Sequence, residues 1–318
     1  MTARDPEAAP DAAIPTADAN ASVPRHVWGA LFVGLVSISS AGVLIRFASD
    51  AEGLTVALWR TMWAVALLLP VVPRARADWH VFTRRDWLLV GAAGVFLGLH
   101  FILWITSLYH TSVASATVLV TMSPLFIAVL GIVALGERPA LRTWIAILVG
   151  LVGAVLIGAG DAGAGVFPRA WLGNGLALSA AAMFAVYIVI GRAVRQRVSF
   201  LAYLFPLNVV AMLTALTGAL VTSAPLGAPL NVIGWTFVMA LFPQILGHGS
   251  FNYAVRYISA AMLGLLTLTE PAIASLLAYV FFQEVPGALA FAGMVVVLVS
   301  LAVVIVRRSP REQAEAAD

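Results

Sequence analysis

"SPLFIAVLGIVALGERP", residues 123–139, is answered by "EPAIASLLAYVFFQEVP", residues 270–286. Pro124, Glu137 and Pro139 recur as Pro271, Glu284 and Pro286, each 147 residues later. Upstream the shift drifts: Tyr109 meets Tyr257 and His100 meets His248 at 148, while Arg46 meets Arg192 at 146. The chain therefore reads as two copies of one unit. Five apolar runs fall in each copy, and an odd number of membrane crossings turns the second copy upside down.

Composition supports crossings. The 318 residues are 62% hydrophobic and 10% charged, far beyond what a soluble core of this size needs. About 20 apolar residues carry a helix through the hydrocarbon layer. The runs place ten spans near 27–48, 54–72, 87–108, 113–135, 143–159, 171–191, 201–222, 232–255, 260–282 and 286–306. The predicted fold class is all-α: a polytopic membrane protein of ten transmembrane helices in two inverted five-helix repeats, 27–160 and 170–307. The runs are continuous rather than alternating, which argues against a β-barrel. Residues 1–26 and 308–318 read as disordered cytoplasmic tails, the first without the pattern of a cleaved signal.

Two absences limit the chemistry. No cysteine occurs, which removes disulfides and thiolate chemistry, and all 18 basic residues are arginines. Without lysine there is no phosphate-binding Walker motif and no Schiff base. No cofactor, metal or nucleic acid is expected.

The arginines orient the chain. Fifteen fall in the tails and in loops on one side, Arg46 and Arg169 fall on the other, and Arg60 lies within a span. That bias puts both termini in the cytoplasm of an inner, plasma-type membrane. Trp28, Trp87, Trp144, Trp171 and Trp235 start spans, as headgroup-layer indoles do. Gly91, Gly94, Gly98, Gly150 and Gly153 suit close helix approach.

Few ionisable groups enter the spans: Arg60, His100, His248 and Glu270. Such residues are costly in lipid and ask for a role. Glu270 is central in span nine, directly before Pro271, where the proline frees a backbone carbonyl. Ser123–Pro124 is its counterpart in span four. Two proline-broken helices of opposite direction place a site near the midplane between the halves. There a carboxyl could carry a proton, hold a substrate ammonium, or simply bond a neighbouring helix. Arg60 could snorkel outward, pair with an acid, or bind a carboxylate or phosphate. Gln244, His248 and Asn252 form a polar stripe that either lines a pore or bonds neighbouring helices. Trp104 shares a face with His100, and Tyr187, Thr121 and Asn208 are weaker pore candidates.

Enzyme signatures fail on context. "GAGDAG", 158–163, matches a dinucleotide-binding pattern but follows a membrane span rather than a strand. Its Asp161 has no second aspartate within a span, which aspartyl chemistry needs.

The ten-span five-plus-five plan, "LWRTMWA" at 58–64, and the two proline–acid–proline runs resemble the drug/metabolite transporter superfamily, in its EamA-domain branch. The resemblance spans about 27–306. It implies spans one to four and six to nine around a central cavity, with spans five and ten peripheral. It implies alternating access without ATP, and amino acids or related small metabolites as substrates, often exported. Arg60 matches the family's span-two arginine, and Glu270–Pro271 its acid–proline pair. Glu137 and Glu284 match acids that end spans four and nine and stay outside the cavity. The chain departs at Pro206, which stands near the repeat position of Arg60.

The expected site is a substrate cavity lined by His100, Trp104, Tyr187, His248, Asn252 and Glu270, with Arg60 near its periplasmic mouth. Glu270 is the candidate for proton coupling, and Pro124 and Pro271 are the helix breaks. The partners are a small-molecule substrate and the lipid bilayer, and a homo-oligomer is left open. A non-transporting receptor or scaffold, and less so an intramembrane enzyme, are the alternative readings.

Overall fold

The computed structural model describes residues 23–111, 113–160, 168–283 and 287–306. Asp161, Glu284, Pro286 and most of both tails lie outside them.

Eight described helices are long and apolar enough to cross a membrane: Arg25–Phe47, Gly53–Ala77, Arg84–Ser107, Ala116–Leu135, Ala170–Arg195, Phe200–Thr222, Leu230–Ala254 and Ala260–Phe281. Two shorter apolar helices, Leu141–Leu156 and Ala288–Ser300, take the fifth and tenth places. All ten expected spans are thus helices, numbered one to ten below in chain order. Span three shows how one starts. Thr83 Oγ1 accepts the Asp86 N–H while the Asp86 carboxylate accepts the Thr83 N–H at 2.9 Å, so two otherwise open groups are closed at once.

The helix ends sort into two sets. At the end where span one starts, here the near end, Arg197 pairs with Asp86 at 2.6 Å and the Trp79 indole donates to the Ala202 carbonyl at 3.1 Å. At the far end, Thr55 donates to the Pro225 carbonyl at 2.7 Å and Trp59 to that of Leu226 at 3.0 Å. Tyr109 donates to Ala51 there at 2.7 Å. Its burial, and then the Glu52 carboxylate, push the phenol above its ordinary pKa, which keeps the donor proton in place.

Packing follows the repeat. Span three lies along span six, and span eight lies along span one in the same relation. Spans two and seven, the matching pair, pack on each other. Spans five and ten pack mainly on one another and expose Val152 and Val299, among other apolar side chains, to the outside. Close approach rests on glycine at span three. A β-carbon at Gly98 would lie 2.7 Å from Thr214 Cβ and 2.8 Å from the Ala211 carbonyl, so only a bare backbone fits. Gly91 meets nothing within 4 Å, so packing accounts for Gly94 and Gly98 but not for it.

Spans four and nine break where their prolines predict. Span four runs Val113–Val120, turns, and resumes at Ser123–Leu135. Span nine runs Ala260–Thr267, turns, and resumes at Glu270–Phe282. Every boundary is shifted by 147 residues.

Span eight differs from its partner. Span three is uninterrupted, but Ala240–His248 winds as a wide π-type helix around Pro243. A wide turn takes up about one extra residue. This stretch lies between Arg192 and His248, where the repeat shift grows from 146 to 148. The local unwinding accounts for about one residue of that two-residue drift.

Candidate functional site

Polar residues of spans two, three, four, eight and nine meet in one buried cavity between the halves. Arg60, His100, Trp104, His248 and Glu270 line it. Ser123, Thr121 and Thr267 add hydroxyls, and Ile38, Val120 and Phe184 supply apolar wall. Ser123 and Glu270 are repeat mates, as are Val120 and Thr267. The two broken helices therefore present equivalent positions to the same space.

Arg60 is 1% exposed, so it does not snorkel. Its Nε donates to Gln244 Oε1 at 3.0 Å, and Gln244 Nε2 donates to Asn208 Oδ1 at 2.8 Å. Asn208 Nδ2 in turn donates to the Leu204 carbonyl at 2.9 Å. This chain of amides holds the guanidinium across spans two, eight and seven. The Phe101 ring lies beneath it, 4.0 Å from Cζ to the ring centroid, a favourable place for a cation.

Gln244 and His248, four residues apart in the wide turn of span eight, face different neighbours. They do not act as one stripe. Gln244 turns to Arg60 and Asn208, whereas His248 turns to aromatic rings. His248 lies edge-on to Phe101 at 5.0 Å and to Phe184 at 5.8 Å between centroids. His100 stands 5.8 Å from His248, and its Nδ1 donates to the Ala180 carbonyl at 2.9 Å. That bond orients the ring and leaves Nε2 as its free nitrogen.

Glu270 begins the second half of span nine, so its carboxylate sits at a helix start. The described ion pairs are Arg192–Glu137 and Arg197–Asp86. Arg60 and Glu270 thus share a cavity as opposite charges without closing on each other. Among the described residues no three His, Asp or Glu side chains gather closely enough to hold a metal ion.

Tyr187 and Asn252 are placed elsewhere. They do not line this cavity but lie beyond His248, toward the near end. There the bundle is closed by Glu137, which accepts from Arg192 Nε at 3.3 Å and from the Ala260 N–H at 3.3 Å. Arg192 Nη1 also donates to the Val255 carbonyl at 2.6 Å. The acid that ends span four therefore fastens spans six and nine outside the cavity. The sequence reading singled out neither Phe184 nor Tyr203. Both are aromatic residues in apolar runs, where periodicity gives no hint of a polar neighbour.

The profile of the EamA-like transporter family matches residues 27–159 and 171–306. An uncharacterized transporter of Archaeoglobus fulgidus is 26% identical over 86% of this chain and 96% of its own. A protein of Streptantibioticus cattleyicolor, named a probable terminal-alkyne amino-acid exporter, is 28% identical over 85% of this chain and 89% of its own. A solved crystal structure superposes with a TM-score of 0.72 at 19% identity, covering 88% of this chain and 97% of that one, which shows the fold.

Proposed function

This chain belongs to the EamA-like transporter family, a multi-pass membrane transporter, and from that premise we propose that it exports zwitterionic amino acids or close relatives by alternating access. The observation that carries the reading is the pair of opposite charges, Arg60 and Glu270, held apart in one buried cavity. A buried charge needs a partner. A guanidinium fixed by Gln244 and Phe101 is built to receive a carboxylate in a planar fork. Glu270 is the matching acceptor for an ammonium. A zwitterion between them neutralises both at once, and Ile38, Trp104, Val120 and Phe184 suit an apolar side chain.

Two further supports come from outside the cavity. A relative is named an amino-acid exporter. The arginine bias puts the near end in the cytoplasm of the plasma membrane, so the Glu137–Arg192 closure is the inner gate. In this reading the halves rock about the cavity, and Glu270 takes a proton when the ammonium leaves.

A counterflow screen in proteoliposomes tests this. The common L-amino acids are compared with analogues lacking either the amino or the carboxyl group. Apolar amino acids should exchange, and both truncated series should fail. Flux of neutral drugs with no amino-acid flux would overturn the reading.

A further inference from the structure

A second polar cluster lies between the cavity and the near-end closure. Tyr187, Gly191 and Arg195 follow at four-residue spacing along span six, and His248 and Asn252 do so along span eight. Tyr203 of span seven completes the ring. Tyr187 and Tyr203 are 0% exposed, Asn252 1% and His248 3%.

Their hydrogen-bonding atoms are unused. Tyr187 Oη, Tyr203 Oη, His248 Nδ1 and both ends of the Asn252 amide make no hydrogen bond to protein. Tyr187 and Asn252 face one another without hydrogen-bond geometry. Buried groups of this kind are normally satisfied, because leaving them bare is costly. Gly191 keeps the space open. A β-carbon there would lie 3.0 Å from Tyr203 Oη and 3.6 Å from Asn252 Oδ1.

The cluster continues the cavity at one end, since His248 lines both. At its base stands Arg195, whose Nε donates to the Asn252 carbonyl at 3.0 Å and whose Nη1 donates to that of Val198. Every unused side chain can donate a hydrogen bond: two phenols, an amide and an imidazole. The acid of this end, Glu137, accepts from Arg192 and Ala260 through Oε1, while its buried Oε2 makes no hydrogen bond. Donors ringed above a cation, with no acid among them, fit an oxyanion and repel a proton or an ammonium.

We propose that Tyr187, Tyr203, Asn252 and Arg195 form an inner station for the substrate's carboxylate, occupied when the near end is open. The carboxylate enters here first and passes to Arg60 as the near end closes. The proposal rests on the zwitterion reading above. It adds that the two faces of the transporter recognise the same carboxylate with different residues.

The test measures KM from each face in proteoliposomes of fixed orientation, for the parent, Tyr187→Phe, Tyr203→Phe and Gly191→Ala. The probes are L-leucine, or the best-carried amino acid of the screen, and its decarboxylated amine as competitor. The two phenylalanine variants delete hydroxyls that bond nothing in this closed state, so their thermal midpoints should match or exceed the parent's. Their ratio of near-face to far-face KM should rise roughly tenfold, the worth of one hydrogen bond to a charged group. Competition by the amine should be unchanged. Gly191→Ala should raise the same ratio by filling the space. An unchanged ratio in all three variants, or an equal rise at both faces, overturns the station and leaves the zwitterion reading standing. A parent that carries no amino acid overturns the reading itself, and the station with it.

Discussion

Span four turns at Thr121 and Met122 and resumes at Ser123, while span nine turns at Leu268 and Thr269 and resumes at Glu270. Both then end on a left-handed residue, Gly136 at φ 66° and Gln283 at φ 57°. The backbones match step for step although most side chains differ. What they share is a proline two residues past each turn, which has no N–H to return and so prevents the helix from closing. What they do not share is charge: one half presents a hydroxyl to the cavity, the other a carboxylate. On the proposed reading, the symmetric scaffold supplies two equivalent hinges for rocking, and the asymmetric site matches the two unlike ends of a zwitterion.

The sharpest way to break this comparison is to move the charge. Glu270→Ser should cut amino-acid exchange about a hundredfold or more, because it strands the ammonium and leaves Arg60 without its opposite charge. The pH dependence of exchange should vanish with it. Adding Ser123→Glu to that variant puts a carboxylate at the mirror position of the same cavity. About tenfold of the lost rate should return if the two positions are equivalent. No recovery in proteoliposomes, from a double variant that folds, would show that the backbones match but the sites do not.

The near-end closure tests the structural half of the contrast. Glu137 fastens Arg192 and the Ala260 N–H, and both partners of the ion pair are largely buried. Removing one partner of such a pair leaves a buried charge, at a cost of about 3 kcal/mol. Glu137→Leu should therefore lower the thermal midpoint in detergent clearly, and Glu137→Leu with Arg192→Leu should regain most of it. The chain has no cysteine, so a single one introduced at Thr267 reports access to the cavity without background. Labelling from the near side should rise in Glu137→Leu. Unchanged labelling would mean that this pair holds the fold and is no gate.

The fold was largely legible because membrane spanning demands long apolar runs, and because each proline break is written in the chain twice. The cavity was legible in its ionisable members and in Trp104 and Thr121. Arg60, His100, His248 and Glu270 stand out in an apolar background, and the structure gathers all four. Tyr187 and Asn252, expected in the same lining, lie beyond His248 toward the near end, on spans six and eight. Gln244 reads in the sequence as part of a stripe with His248 and Asn252, and Asn208 as a weaker pore candidate; their joint support of Arg60 links spans seven, eight and two, which no local pattern encodes. Gly191 carried no signal at all, because its importance lies in what Tyr203 and Asn252 do across the interface.

That amide support offers a smaller effect. Gln244→Leu deletes the bond to Arg60 Nε but leaves the guanidinium over Phe101. The arginine should still bind the carboxylate, less well positioned. KM should rise about tenfold with little change in maximal rate. A fall in maximal rate alone would instead place Gln244 in the rocking motion.

The smallest effect should be at the prolines, and it bears most directly on the symmetry. Alanine at position 271 regains an N–H that can reach back toward the Thr267 carbonyl, and alanine at 124 can do the same toward Val120. Both carbonyl-bearing residues line the cavity. Each variant gains a backbone hydrogen bond and loses the proline's restriction of the unfolded chain, so stability should change by less than about 1 kcal/mol. Exchange should slow about threefold as the hinge stiffens, a cost of one weak hydrogen bond. The two variants should slow to the same extent, since their backbones are equivalent, even though Glu270 and Ser123 are not interchangeable. If Pro271→Ala is far worse than Pro124→Ala, the break in span nine serves Glu270 itself, and the hinges are not a pair.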